Sequence, residues 1–178
     1  RKRVTDNNYY VHPATMKAFI GVDPGMSGGY ALACDSIDDI ELFPWEDESS
    51  FIAHLKEIKA NPDFISVEAA VELVPPFVGK MIPSSSSFKL GYNYGFINGT
   101  IRTLEIPLTL IRPQEWQKSL GGLQGLSSPK RKKALRDHAN RFFPSVKGMT
   151  LKTCDAALIL RHFLLTTNGR SPVKMIIE

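Results

Sequence analysis

The sequence predicts an α/β fold: a mixed five-stranded sheet, three antiparallel strands and then parallel ones, flanked by helices. Three observations predict it. Short apolar runs follow one another at 17–23, 28–34 and 37–43 with only turn residues between them, as in consecutive antiparallel strands. Beyond them, runs of strand length alternate with helical stretches, the mark of a sheet that continues by crossovers. Acids also close two of the strands and open the last helix, so polar groups collect at one end of the elements.

Lys17 to Asp23 (KAFIGVD) reads as a buried strand stopped by Pro24-Gly25. Gly28 to Cys34 and Ile37 to Phe43 follow as strands, with Asp38 and Asp39 near the hairpin tip. Ser49-Ser50 can cap a helix over about 51–59, whose apolar face is Phe51, Leu55 and Ile58. Asp63 to Glu68 (DFISVE) is the next strand. The stretch from Ala69 to Ser87, with three prolines and four consecutive serines, reads as a loop. A helix follows over about 88–104, and its glycines 91, 95 and 99 suggest close packing or close backbone approach. Pro107 to Ile111 is a strand and Pro113 to Ser119 a short helix. Gly121 to Ser127 is a flexible loop. Ser127 or Ser128 then caps a helix that ends near Phe143, ahead of Pro144. Thr153 to Leu165 is the last strong helix.

The chain has 178 residues, 43% of them apolar, with a net charge of +4, a composition that suits one globular domain over 16–178. No apolar run reaches the roughly 20 residues that span a bilayer. Two cysteines, Cys34 and Cys154, are too few for a disulfide framework or a zinc site, so a reducing, intracellular compartment is expected. Residues 1–15 show no periodicity and end before Met16, and read as an added or disordered leader. Without their three bases and one acid the net charge falls to +2, so overall charge says little about nucleic acid. Its distribution says more. Six bases and one acid lie between Lys130 and Arg141, whereas seven acids and no base lie between Asp35 and Glu48. Such a division gives one positive face suited to phosphates, although a solvated helix face would look the same.

Three acids carry the chemistry: Asp23, Glu68 and Asp155. Each borders an apolar run, where a carboxylate is costly unless paired or bound to a cation. Three of them together would repel, and a hard divalent ion such as Mg²⁺ or Mn²⁺ would relieve that strain. Up to two such ions, bridged by Asp23, would suit phosphodiester hydrolysis.

Gly-Val-Asp23-Pro-Gly-Met-Ser-Gly-Gly resembles the first-strand motif of RuvC-type Holliday junction resolvases. Ser-Val-Glu68 is similar to their second acid, Phe88-Lys-Leu-Gly-Tyr-Asn-Tyr-Gly to the helix after it, Ile111-Arg-Pro-Gln-Glu-Trp116 to their strand-to-helix crossing, and Cys154-Asp155-Ala-Ala-Leu-Ile to their last catalytic helix. The 88–99 and 112–118 stretches lean toward the phage and chloroplast branches. The resemblance runs from about Ala18 to Leu165. It implies an RNase H-like fold, a homodimer and paired, metal-dependent nicks in four-way junction DNA, the function expected here.

One position departs from the family, which places an acid or histidine about one helical turn before the last catalytic Asp; here Lys152 stands there. Its charge would oppose a second ion, so restricted turnover is expected, with a branched-DNA-binding protein of weakened or absent catalysis as the alternative. DNA contacts are expected from Lys130, Arg131, Lys132, Lys133 and Arg136 at a helix start, and from Phe77 and Lys80 in the loop after the second acid. Tyr92, Tyr94, Phe96 and Trp116 read as packing residues, and His138 and His162 as surface or core residues. An actin–hexokinase ATPase would share the Asp-x-Gly-x-x-x-Gly loop but needs a second domain and a second phosphate loop. A nuclease for RNA–DNA hybrids would use the same fold.

Overall fold

In the computed structural model the described residues are 15–38, 40–76 and 83–167. The leader up to residue 14, Asp39 at the hairpin tip, and Phe77 and Lys80 lie outside them. The elements run β1 (Met16–Asp23), β2 (Gly29–Cys34), β3 (Ile40–Pro44), α1 (Glu48–Ala60), β4 (Phe64–Glu72), α2 (Ser84–Thr103), β5 (Leu108–Ile111), α3 (Pro113–Lys118), α4 (Ser128–Phe142) and α5 (Cys154–Thr167). They form a five-stranded sheet in the order β3-β2-β1-β4-β5. β1 to β3 pair antiparallel, and β4 joins β1, and β5 joins β4, in parallel. The mixed sheet is therefore the one the order of apolar runs predicts.

β1 is the central strand and is buried from Ala18 onward, so it reads as a continuous apolar run rather than an alternating one. Its two faces serve different cores. Ala18, Ile20 and Val22 meet α1 and α2 through Leu55, Ile97 and Ile101. Phe19 meets α4 and α5 through Leu135, Leu160 and Phe163. Between them Gly21 lets α5 lie directly on the strand: a Cβ there would stand 2.5 Å from the Leu160 Cβ and 2.7 Å from the Ala156 carbonyl oxygen. α5 is apolar almost all round, as a helix enclosed by the sheet and α4 must be.

Three local expectations are corrected. β4 does not stop at Glu68. Ala69, Ala70 and Val71 are fully buried and paired with β1 and β5, so the strand runs to Glu72. An internal parallel strand finds hydrogen-bond partners on both edges, which outweighs the turn-forming composition that follows. α2 begins at Ser84 rather than Phe88, so the serine run belongs to its first turn. Asp47, not Ser49 or Ser50, is the N-cap of α1, its carboxylate accepting from the Ser50 backbone N–H at 2.9 Å. The glycines of α2 also behave unexpectedly: Gly91, Gly95 and Gly99 have no atom within 4 Å of a Cβ position and face outward. Trp116, by contrast, is the buried anchor expected, at 1% exposure. Among the described residues no helix is long and apolar enough to cross a membrane.

A Gly21→Val substitution is expected to destabilise the fold by about 3 kcal/mol or more, because the strand and helix backbones cannot both stay in place. A fall in the urea midpoint with an unchanged denaturant slope measures it.

Candidate active site

β1 ends at Asp23, and the chain turns at once through Pro24-Gly25-Met26-Ser27-Gly28 into β2. The turn folds back over the carboxylate. The Gly25 N–H donates to Asp23 Oδ1 at 3.0 Å, and a Cβ on Gly28 would lie 2.8 Å from the Asp23 Cγ. A side chain at residue 28 would thus displace the acid. From α2, the buried Asn93 side chain donates to the Pro24 carbonyl at 2.8 Å and fixes the turn from below.

The approach of α5 at Gly21 sets the second acid. Asp155 lies in the first turn of α5, one residue before Ala156, whose carbonyl abuts Gly21. Thr153, buried just ahead of the helix, accepts a hydrogen bond from the Thr150 N–H and shapes its entry. A carboxylate in the first turn is also favoured by the helix dipole.

The third acid is not the one expected. In the parallel register Phe19 lies beside Glu68 and Val22 beside Val71, which brings Glu72 level with Asp23. Glu68 is four residues back along β4, roughly 13 Å at strand rise. Glu68 and Glu72 point to the same side of the sheet, since their spacing is even, and only the register distinguishes them. Glu72 is held by the Trp116 indole N–H, which donates to its Oε2 at 2.8 Å. The structure therefore brings Asp23, Glu72 and Asp155 together and leaves Glu68, the acid expected from the sequence, outside that group.

The acids of this group also perturb one another. Burial first, then the charge of Asp155, pushes Asp23 up to about 6, against the Gly25 hydrogen bond and Lys132. Burial, then Asp23, pushes Glu72 up to about 7; the Trp116 hydrogen bond and Lys132 oppose this, and Asp155 adds to it. The Cys154 thiol, buried beside Asp155, rises to about 12 and stays protonated.

One cation answers these acids. Lys132 of α4 reaches over the site, with its Nζ 2.5 Å from Asp155 Oδ2 and 4.0 Å from Asp23 Oδ2. Burial works to lower its pKa, but the two carboxylates prevail and hold it above the ordinary value. The other expected DNA contacts scatter along α4. Lys130 and Lys133 are exposed, and Arg131 is turned inward to Gln117 and the Leu123 carbonyl. Arg136 lies near Asp137 at 3.5 Å. Lys152 is exposed and is not among the charges that shift Asp23 or Glu72.

The donor set suits a hard divalent ion: three carboxylates from three elements, two of them resisting ionisation through burial and mutual repulsion. As they stand, no three acid, histidine or cysteine side chains among the described residues form a ready metal cluster. The Lys132 ammonium stands in for a cation between Asp155 and Asp23.

The chain is an α/β domain with an RNase H-like fold, and acids gather at the ends of its central strands. The chain is similar in structure to Thermus thermophilus RuvC, both in complex with a Holliday junction substrate and in a second structure described simply as that of RuvC. Each has a TM-score of 0.53 and 14% sequence identity; the first alignment covers 86% of this chain and 96% of RuvC, the second 85% and 96%. No protein-family model and no curated protein matches the sequence.

The raised acids make stability depend on pH. A carboxyl whose folded pKa lies above its unfolded value weakens the fold once it must ionise. Metal-free protein should therefore lose stability as pH rises from about 4 to about 7, the window between the ordinary values and those of Asp23 and Glu72. Thermal melting in chelator across this range should show the fall. Glu72→Gln should flatten it and raise the melting temperature at pH 8, because the amide can still accept from Trp116 without carrying charge.

Proposed function

We propose that this protein is a divalent-metal-dependent DNA endonuclease that cuts four-way junctions, with Asp23, Glu72 and Asp155 as its metal-holding set. The observation that carries the proposal is the convergence of these carboxylates from β1, β4 and α5, with a basic helix beside them, on the fold of a protein whose structure was solved on a Holliday junction. Mg²⁺ or Mn²⁺, up to two ions when bound, would supply the charge that polarises a phosphodiester and acidifies water.

The residues of the chain would do the rest. Gly25 and Gly28 hold Asp23 in one rotamer, and Trp116 orients Glu72. Lys132 would withdraw from Asp155 as an ion enters and turn to the DNA phosphate, keeping a positive charge at the scissile group. Lys130, Lys133 and Arg136 would follow the backbone of one arm, a sequence-independent contact that weakens with salt. A homodimer would place two such sites on the two strands to be nicked, and the exposed apolar face of α2, with Phe88 and Tyr92, would be the surface for pairing. The phage-like and chloroplast-like motifs at 88–99 and 112–118 fit the same reading.

A second reading is favoured by one observation. Lys132 already satisfies Asp155 and approaches Asp23, so the protein could bind branched DNA and cut it slowly or not at all. Incubation with a labelled mobile-core junction and a linear duplex, with and without Mg²⁺, separates the two. Symmetric, metal-dependent nicks in the junction support the enzyme; tight binding without nicks supports the second reading.

In the same assay Asp23→Asn, Glu72→Gln and Asp155→Asn should each lower the cleavage rate by roughly 100-fold or more, as lost metal ligands do. Glu68→Gln should cut near the parent rate. An equal loss for Glu68→Gln and full activity for Glu72→Gln would reverse the assignment of the acid. Lys152→Asp should increase turnover if Lys152 holds it back; an unchanged rate would remove Lys152 from any role in the chemistry.

A further inference from the structure

Between β3 and α1 lies a cleft of about 350 Å³ whose rings are Tyr30, Phe43 and Trp45 and whose outer acids are Glu46 and Glu57. No lysine or arginine lines it, and none of its walls comes from α2, whose exposed face is given to pairing.

The core fixes these rings. Tyr30 stacks on Phe43 with centroids 5.0 Å apart, and its hydroxyl shares a hydrogen bond of 2.8 Å with His54 Nδ1. Trp45 leans on the buried Phe51 at 5.2 Å. Burial, then the charge of Glu46, pushes Tyr30 up to about 12, so the phenol stays neutral with Glu46 close by. Asp47, also in the lining, is already committed to Ser50. Glu46 and Glu57 are exposed, and among the described residues neither forms an ion pair.

A second feature borders the cleft. β3 is an edge of the sheet, and among the described residues it pairs with β2 alone. Ile40 and Leu42 turn toward the core under α5, whereas Phe43 and Trp45 turn toward the core under α1. By alternation Glu41 therefore shares the face of Phe43 and adds a third outer acid to it. A charged, short edge strand repels most strands, and one of opposite charge is the exception.

Chemistry selects the occupant. Carboxylates repel a phosphate, so nucleic acid is disfavoured here. Among the described residues no three acid, histidine or cysteine side chains form a metal cluster. Ring faces attract a cation, and a guanidinium is flat, weakly hydrated and able to meet a carboxylate through two parallel N–H groups. Arginines two residues apart on an extended segment stand on one face, roughly 7 Å from each other. Glu41 and Phe43 have the same spacing along β3.

We propose that the edge of β3 takes an extended basic segment of another protein, with one arginine in the cleft and the next but one over Glu41. This inference does not rest on the nuclease reading, and it is tested without DNA.

The probe is acetyl-Thr-Arg-Thr-Arg-Thr-amide, titrated calorimetrically into the full chain in chelator. Binding should saturate, and the lysine counterpart should bind at least about fivefold more weakly, the scale of one exposed cation–π contact. Glu46→Gln combined with Glu57→Gln, both at exposed positions, should weaken the arginine peptide by a similar factor at an unchanged melting temperature. Backbone N-methylation should abolish binding on one alternate set of peptide residues, whose N–H groups meet β3, and be tolerated on the other. Equal affinity of the arginine and lysine peptides, or affinity indifferent to the double substitution, overturns the proposal. So does equal tolerance of both N-methylated sets, because strand pairing would then be absent. N-acetylarginine amide or spermidine binding as tightly as the peptide overturns it as well, since a free cation would then be the occupant. A double variant that changes its sedimentation with no peptide present also overturns it, since a second copy would then cover the cleft.

Discussion

The contact on which this site depends is the close passage of α5 across β1 at Gly21. There the Leu160 and Ala156 positions leave no room for a side chain, and the helix lies as near the strand as backbone allows. Because Asp155 is one residue from that contact and Asp23 two residues from it on the strand, the packing itself brings two like charges together. Apolar burial over α5 and both faces of the sheet drives the approach, and the repulsion is the smaller opposing term. The domain thus stores electrostatic strain at its strand ends and anchors it with a core that continues on all sides.

That strain is balanced from three directions. The turn after Asp23 contributes a backbone N–H, Trp116 contributes an indole N–H to Glu72, and Lys132 contributes a full charge to Asp155. None of these partners is close in sequence to the acid it serves, Gly25 excepted. The arrangement explains why Asp23 and Glu72 stay above the ordinary carboxylate range although a lysine lies within reach: burial is the first cause for both, and a single ammonium offsets only part of it.

The separation of charge along the chain also takes a definite form. Asp47 and Glu48, at the start of α1, lie beside Met26, Trp45, Phe88 and Tyr92, while the bases of α4 flank the acid site from the opposite face of the sheet.

Much of this was legible in the residues alone. The order of apolar runs determined the mixed sheet, since three runs joined by turns can only pair as neighbours and longer connections must cross over. Asp23 was determined by its own surroundings: an acid ending an apolar run, followed by Pro-Gly and a second glycine pair, has few uses other than a wrapped carboxylate. Asp155 was visible for a related reason, at the start of a helix apolar on every side. Glu68 and Glu72 mark where that reasoning ends. Both acids stand in the segment EAAVE, four residues apart, and strand periodicity sends both to the same face. Which one comes level with Asp23 depends on how β4 slides along β1, and that register is set by side chains far away in sequence, among them Trp116. Lys132 was one basic residue among six between Lys130 and Arg141 until the packing of α4 against α5 turned it alone onto the acids. The sequence by itself determined the elements and the chemistry available at their ends; the tertiary structure decided which acid and which base meet, because those meetings depend on register and helix rotation rather than on local spacing.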